Sequence, residues 1–145
     1  MNLSYILNKQ SKIVRPISFK DIAVEVLPNE YYETPRIFAD DFYFFRFQIN
    51  LDMDVETGGV QGGITQENIE VYYQDANKSE SFIGTANGMY VKVPFGITGA
   101  TALGSSVIYS DGDIPIYNED FIIRVKNKSD KPILVRNVTL RLLLK

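Results

Sequence analysis

Phe45-Arg46-Phe47-Gln48-Ile49-Asn50-Leu51-Asp52-Met53-Asp54 alternates without a break, with Phe45, Phe47, Ile49, Leu51 and Met53 on one face and Arg46, Gln48, Asn50, Asp52 and Asp54 on the other. A period of two is the pleat of a β-strand with one side buried and one side in water. The end of the chain repeats it, with Val138, Leu140, Leu142 and Leu144 inward and Thr139 and Arg141 outward. Leu143 is the apolar exception on that outer face, placed to cover a neighbouring element or a partner.

Shorter runs of the same kind fill the chain between and before these two. Residues 22–26 form one, closed by Pro28; residues 69–73 and 89–93 form two more, the second halted by Pro94. Val107-Ile108-Tyr109 stops at Ser110-Asp111-Gly112-Asp113, a turn sequence whose glycine can take positive φ. Residues 121–125 and 133–135 are strands joined by a polar connection over 126–132. Gly58-Gly59-Val60-Gln61-Gly62-Gly63 and residues 96–104 read as loops, and the short stretch 4–9 is the one helical candidate. About eight strands separated by turn signals predict an all-β fold, a single antiparallel β-sandwich of immunoglobulin-like or jelly-roll topology over residues 17–145. Residues 1–16 lack a sustained period and read as an N-terminal arm or first edge segment. Tyr5, Ile6 and Leu7 are the side chains by which such an arm would order on a neighbouring subunit.

Composition restricts the chemistry. The chain of 145 residues is one domain in length, with 45% hydrophobic and 23% charged residues as in a folded globular protein. It has no histidine and no cysteine, the usual proton shuttles, nucleophiles and soft-metal ligands near neutral pH. Carboxylates remain, and two of them can hydrolyse a glycoside. The candidate pairs are Asp40 with Asp41, Asp52 with Asp54, and Glu119 with Asp120, all at solvent faces or strand entrances where acidic residues need no further role. Asp111, Asp113, Asn118, Glu119 and Asp120 could offer oxygens to calcium, but residues 114–117 interrupt the set, and a tight turn explains it better. The Gly58 to Gly63 stretch has no lysine after its last glycine and so is no phosphate loop. These readings predict a protein that is not an enzyme and has no cofactor or metal.

Charge and aromatic content point towards contacts with other proteins. Net charge is −3, yet residues 30–80 carry eleven acidic side chains against three basic ones, and residues 121–145 carry seven basic against one acidic. Such polarity suits packing of copies against one another, or simply marks one acidic and one basic sheet edge. The basic stretch lacks the interleaved aromatics of single-strand nucleic-acid readers, so no specific nucleic acid is expected. Tyr31 with Tyr32, Tyr72 with Tyr73, and Tyr90, Tyr109 and Tyr117 supply amphipathic rings suited to interfaces, and strand alternation must turn one of each adjacent pair outward. Sugar platforms use the same kind of ring but lean on tryptophan, which is absent. Residues 1–9 contain no basic stretch followed by a long apolar run, so no signal peptide is expected, and no stretch approaches the length of a membrane span.

In its possible arm, its glycine loops between strands and its long final strand, residues 137–145, the chain resembles the small β-sandwich structural proteins of tailed-bacteriophage virions. The resemblance covers most of the chain in style and rests on no motif. It implies a multi-copy component made in the host cytoplasm and carried in the virion, an auxiliary capsid protein first and a tail or ring component second. Its partners would be copies of itself and capsid, portal or tail proteins. The alternative is a carbohydrate- or receptor-binding module. The candidate contact residues are Tyr5, Ile6, Leu7, Tyr31, Tyr32, Tyr72, Tyr73 and Leu143.

Overall fold

The computed structural model describes residues 15–20, 22–53, 64–75, 90–98, 105–116 and 119–144, which form two antiparallel sheets packed as a sandwich. The strands are β1 (Arg15–Phe19), β2 (Val24–Val26), β3 (Tyr31–Glu33), β4 (Ile37–Phe38), β5 (Phe44–Met53), β6 (Ile69–Asp75), β7 (Tyr90–Lys92), β8 (Phe95–Thr98), β9 (Ser105–Ser110), β10 (Ile114–Pro115), β11 (Asp120–Asn127) and β12 (Ile133–Leu143). The larger sheet runs β1-β12-β5-β9-β8, with β2 also beside β12 and β10 also beside β5. The smaller runs β3-β11-β6-β7, with β4 also beside β11.

β12 pairs with β5 along its whole length, so β1 and β2 must share its other edge, at residues 138–142 and 133–135. In the same way β9 and β10 share one edge of β5, and β3 and β4 share one edge of β11. Each such pair is one strand broken in two. Numbering the resulting strands along the chain, and leaving out the edge strand β8, the larger sheet reads first, eighth, third, sixth and the smaller reads second, seventh, fourth, fifth. The first two strands lie in different sheets and the first pairs antiparallel with the last. That order is a jelly roll, and it decides between the two topologies the sequence allows.

The alternation read from Phe45 onward holds through Leu51. Phe45, Phe47, Ile49 and Leu51 are buried, while Arg46 and Gln48 are exposed. Val138, Leu140 and Leu142 of β12 bury the next column, facing Val71 and Tyr73 of β6 and Phe121, Ile123 and Val125 of β11 across the sandwich. Phe45, Phe121 and Tyr73 form a ring cluster between the sheets, with centroids 4.7 Å, 5.6 Å and 5.4 Å apart. Burying one such ring stabilises the fold by about 2–3 kcal/mol.

Side chains repair the breaks in the strands. Between β3 and β4 the Thr34 hydroxyl, buried, accepts the Ile123 N–H at 3.0 Å, and the Thr34 N–H donates to the Ile123 carbonyl at 2.9 Å. Between β9 and β10 the Ser110 hydroxyl accepts the Phe47 N–H at 3.0 Å. Where β2 gives way to β1, β12 bulges: its register against β5 shifts between Val135 and Asn137, and Arg136 is the extra residue. Residues 133–135 and 138–143, read from sequence in two separate strands, therefore belong to one strand whose inward phase changes at the bulge. The polar connection 126–132 is organised by buried Asn127, whose amide donates to the carbonyls of Val26 (2.8 Å) and Lys131 (2.7 Å) and accepts from the Ser129 N–H (2.9 Å).

Two readings change. Gly96, Ile97 and Thr98, taken as the start of a loop, belong to β8, which pairs with β9. The short strands β3, β4 and β10 were not anticipated at all, and β1 takes in Arg15 and Pro16 from the segment read as arm or first edge. The helical candidate at 4–9, the Gly58 to Gly63 loop, residues 99–104, and Tyr5, Ile6 and Leu7 lie outside the described residues.

Candidate functional site

The outer face of the smaller sheet carries the densest arrangement of functional side chains. Cross-strand register sets Arg124 of β11 opposite Glu33 of β3 and Tyr72 of β6, and sets Lys126 opposite Tyr31 and Glu70. The Arg124 guanidinium lies 4.0 Å from the Tyr90 ring centre and 4.6 Å from that of Tyr31, and its NH2 group is paired with Glu33. Tyr90 meets Tyr72 edge-on at 6.3 Å. The Tyr72 hydroxyl hydrogen-bonds Glu70, which also pairs with Lys92 at 3.0 Å and Lys128 at 3.9 Å. The Lys92 hydrogen bond holds the Glu70 carboxyl below its ordinary range, while burial and the Glu70 charge push the Tyr72 phenol up. The arginine is thus clamped between two rings, and its buried Nε has no hydrogen-bond partner among the described residues. Tyr31 closes the row at 46% exposure.

Of the paired tyrosines, Tyr31 and Tyr72 face outward. Tyr32 and Tyr73 are buried, so these two expected contact residues are core residues instead. The reason is phase: Ile69, Val71 and Tyr73 share the inner face of β6, and Tyr32 alone of β3 points inward. Leu143 is half-buried on the outer face of the larger sheet, in a cross-strand row with Phe44 and Pro115, next to Tyr43, which is 63% exposed. Sequence marks Tyr90 only as one of several interface-type tyrosines and Arg124 only as one of several basic residues near the end of the chain; their pairing is not legible there, because the interaction that joins them crosses three strands.

Four of the eight candidate carboxylates are paired with arginine. Asp40 pairs with Arg15, Asp113 with Arg46, Asp120 with Arg36 at 3.5 Å, and Asp52 with Arg136 at 2.8 Å. Asp54 and Asn118 lie outside the described residues. No group of three or more acidic residues among those described is placed to hold a metal ion. The basic residues divide between opposite faces, Arg124 and Lys126 on the smaller sheet and Arg136 and Arg141 on the larger, so they make no single basic surface. Among the described residues no helix is long and apolar enough to cross a membrane.

No protein-family model matches the chain, and no curated protein matches it.

Proposed function

We propose that the protein is a non-enzymatic assembly protein, a multi-copy virion component that acts through protein–protein contacts, as an auxiliary capsid protein first and a tail or ring component second. The observation that carries this reading is the Tyr31–Arg124–Tyr90–Tyr72 row on an open sheet face. Tyrosine and arginine dominate the energetics of protein interfaces, and rings and a guanidinium already locked together lose little freedom when a partner arrives. The jelly-roll order adds support, being an architecture that viral capsid domains share with lectins. The exposed Tyr43 and the Phe44–Leu143 row on the other sheet offer a second surface, as a subunit with neighbours on two sides requires.

Light scattering after size exclusion, together with co-sedimentation on purified capsids and tail complexes, tests the proposal. Association is expected, and Tyr31→Ala is expected to weaken it at least tenfold, about 1.4 kcal/mol, while leaving the fold intact. A protein that stays monomeric and ignores both capsids and tails overturns it.

A further inference from the structure

The outer face of the larger sheet holds a different site, separate from the Tyr31–Arg124 face and beside the Phe44–Leu143 row. Tyr109 of β9, 43% exposed, lays its ring across Gly96 of the neighbouring strand β8: a Cβ at position 96 would fall 2.4 Å from Tyr109 Cζ and 2.6 Å from Cε2. Glycine there lets the ring lie along the sheet with one side turned to solvent. Across the same face, Gln48 of β5 sits opposite Tyr109, and Thr139 of β12 opposite Gln48. Two residues further along, Arg46 and Arg141 stand directly opposite each other. Like charges in that position repel. Asp113 pairs with Arg46, whereas Arg141 has no carboxylate partner among the described residues. Tyr109, Gln48, Ser110, Thr139, Arg46 and Arg141 line one shallow groove of about 280 Å³.

We infer that this groove binds a carboxylate-bearing glycan, a sialic- or uronic-acid sugar. The Tyr109 ring offers a flat apolar surface for a pyranose face, and Gln48 and Thr139 offer hydrogen bonds to hydroxyls. The Arg141 fork takes the sugar carboxylate, a planar anion that matches a guanidinium and offsets the Arg46–Arg141 repulsion. Neutral sugars give that second charge no counterpart, and the flat Tyr109 ring beside it suits a pyranose face. The site is distinct from the Tyr31–Arg124 face, so its failure leaves the assembly reading standing, and the converse holds too.

The test is a calorimetric and amide-NMR titration of the full chain with 3′-sialyllactose, tri-galacturonate and lactose. Saturable binding of at least one acidic sugar is expected, with lactose at least tenfold weaker and shifts centred on β5, β9 and β12. Arg141→Gln and Tyr109→Ala, both at exposed positions, are each expected to weaken it at least tenfold. Gly96→Ala, which keeps both side chains but displaces the ring, should weaken it as well. Tyr31→Ala should leave it unchanged. The inference is overturned if neither acidic sugar binds saturably at millimolar concentration, if lactose binds equally well, or if binding survives Arg141→Gln undiminished.

Discussion

Two glycines in this chain serve opposite purposes, and substitution separates them. Gly112 has φ +86° with open space where a side chain would stand, so alanine there meets only the backbone penalty of the left-handed region. Gly112→Ala should lower stability by about 1 kcal/mol in urea denaturation. Gly96 carries no such φ, and its constraint is the Tyr109 ring above it. A ring at the end of a mobile side chain can swing away, so Gly96→Ala should leave the urea midpoint close to the parent value. The first glycine was legible in sequence, because Ser110-Asp111-Gly112-Asp113 is a turn in its own residues. The second was read as the start of a loop, since its reason lies on another strand. Residues 29 and 40 were equally opaque: Asn29 and Asp40 adopt φ of 65° and 48°, which asparagine and aspartate tolerate without glycine's sequence signal.

At the scale of the element, the long strands announced themselves and the short ones did not. β5 and β11 run eight residues or more with strict alternation, enough for a period to show. β3, β4 and β10 are two or three residues long and exist only because a long neighbour supplies their partners. The bulge at Arg136 misled in another way. It changes which residues face inward, so one strand of eleven residues resembles two in sequence. The hydroxyl patches at Thr34 and Ser110 follow from the same interruptions, since a broken edge strand leaves an N–H of its long partner without a ladder carbonyl. Thr34→Val keeps the shape and removes the acceptor, stranding the buried Ile123 N–H. It should cost about 1–3 kcal/mol in urea denaturation, with faster amide exchange at Ile123.

For the molecule as a whole, the polarity of the sequence is partly neutralised on folding. The acidic middle and the basic end become neighbours, joined by the Glu33–Arg124, Asp52–Arg136 and Glu70–Lys128 pairs across adjacent elements. The sequence showed that the charges were unequal but not that β11 and β12 would lie beside β3, β5 and β6. The candidate face was half legible for the same reason: alternation required one outward tyrosine in each pair, and only strand register brought Arg124 between Tyr31 and Tyr90. Glu70, whose carboxyl is depressed from its ordinary value of 4.5 chiefly by Lys92, gives these contacts a pH dependence. A group with a lowered folded-state value contributes stability that is complete above the unfolded value and is lost as the pH falls through the folded one. Melting temperatures should therefore decline below about pH 4.5 in the parent and decline less steeply in Glu70→Gln. Finally, β12, the last strand in chain order, occupies an interior position of the larger sheet, between β5 and the β1–β2 edge. During synthesis that slot stays vacant until residues 133–143 have left the ribosome, so β1, β2 and β5 must wait with open edges. The order in which the chain is made and the order in which this sheet closes cannot coincide.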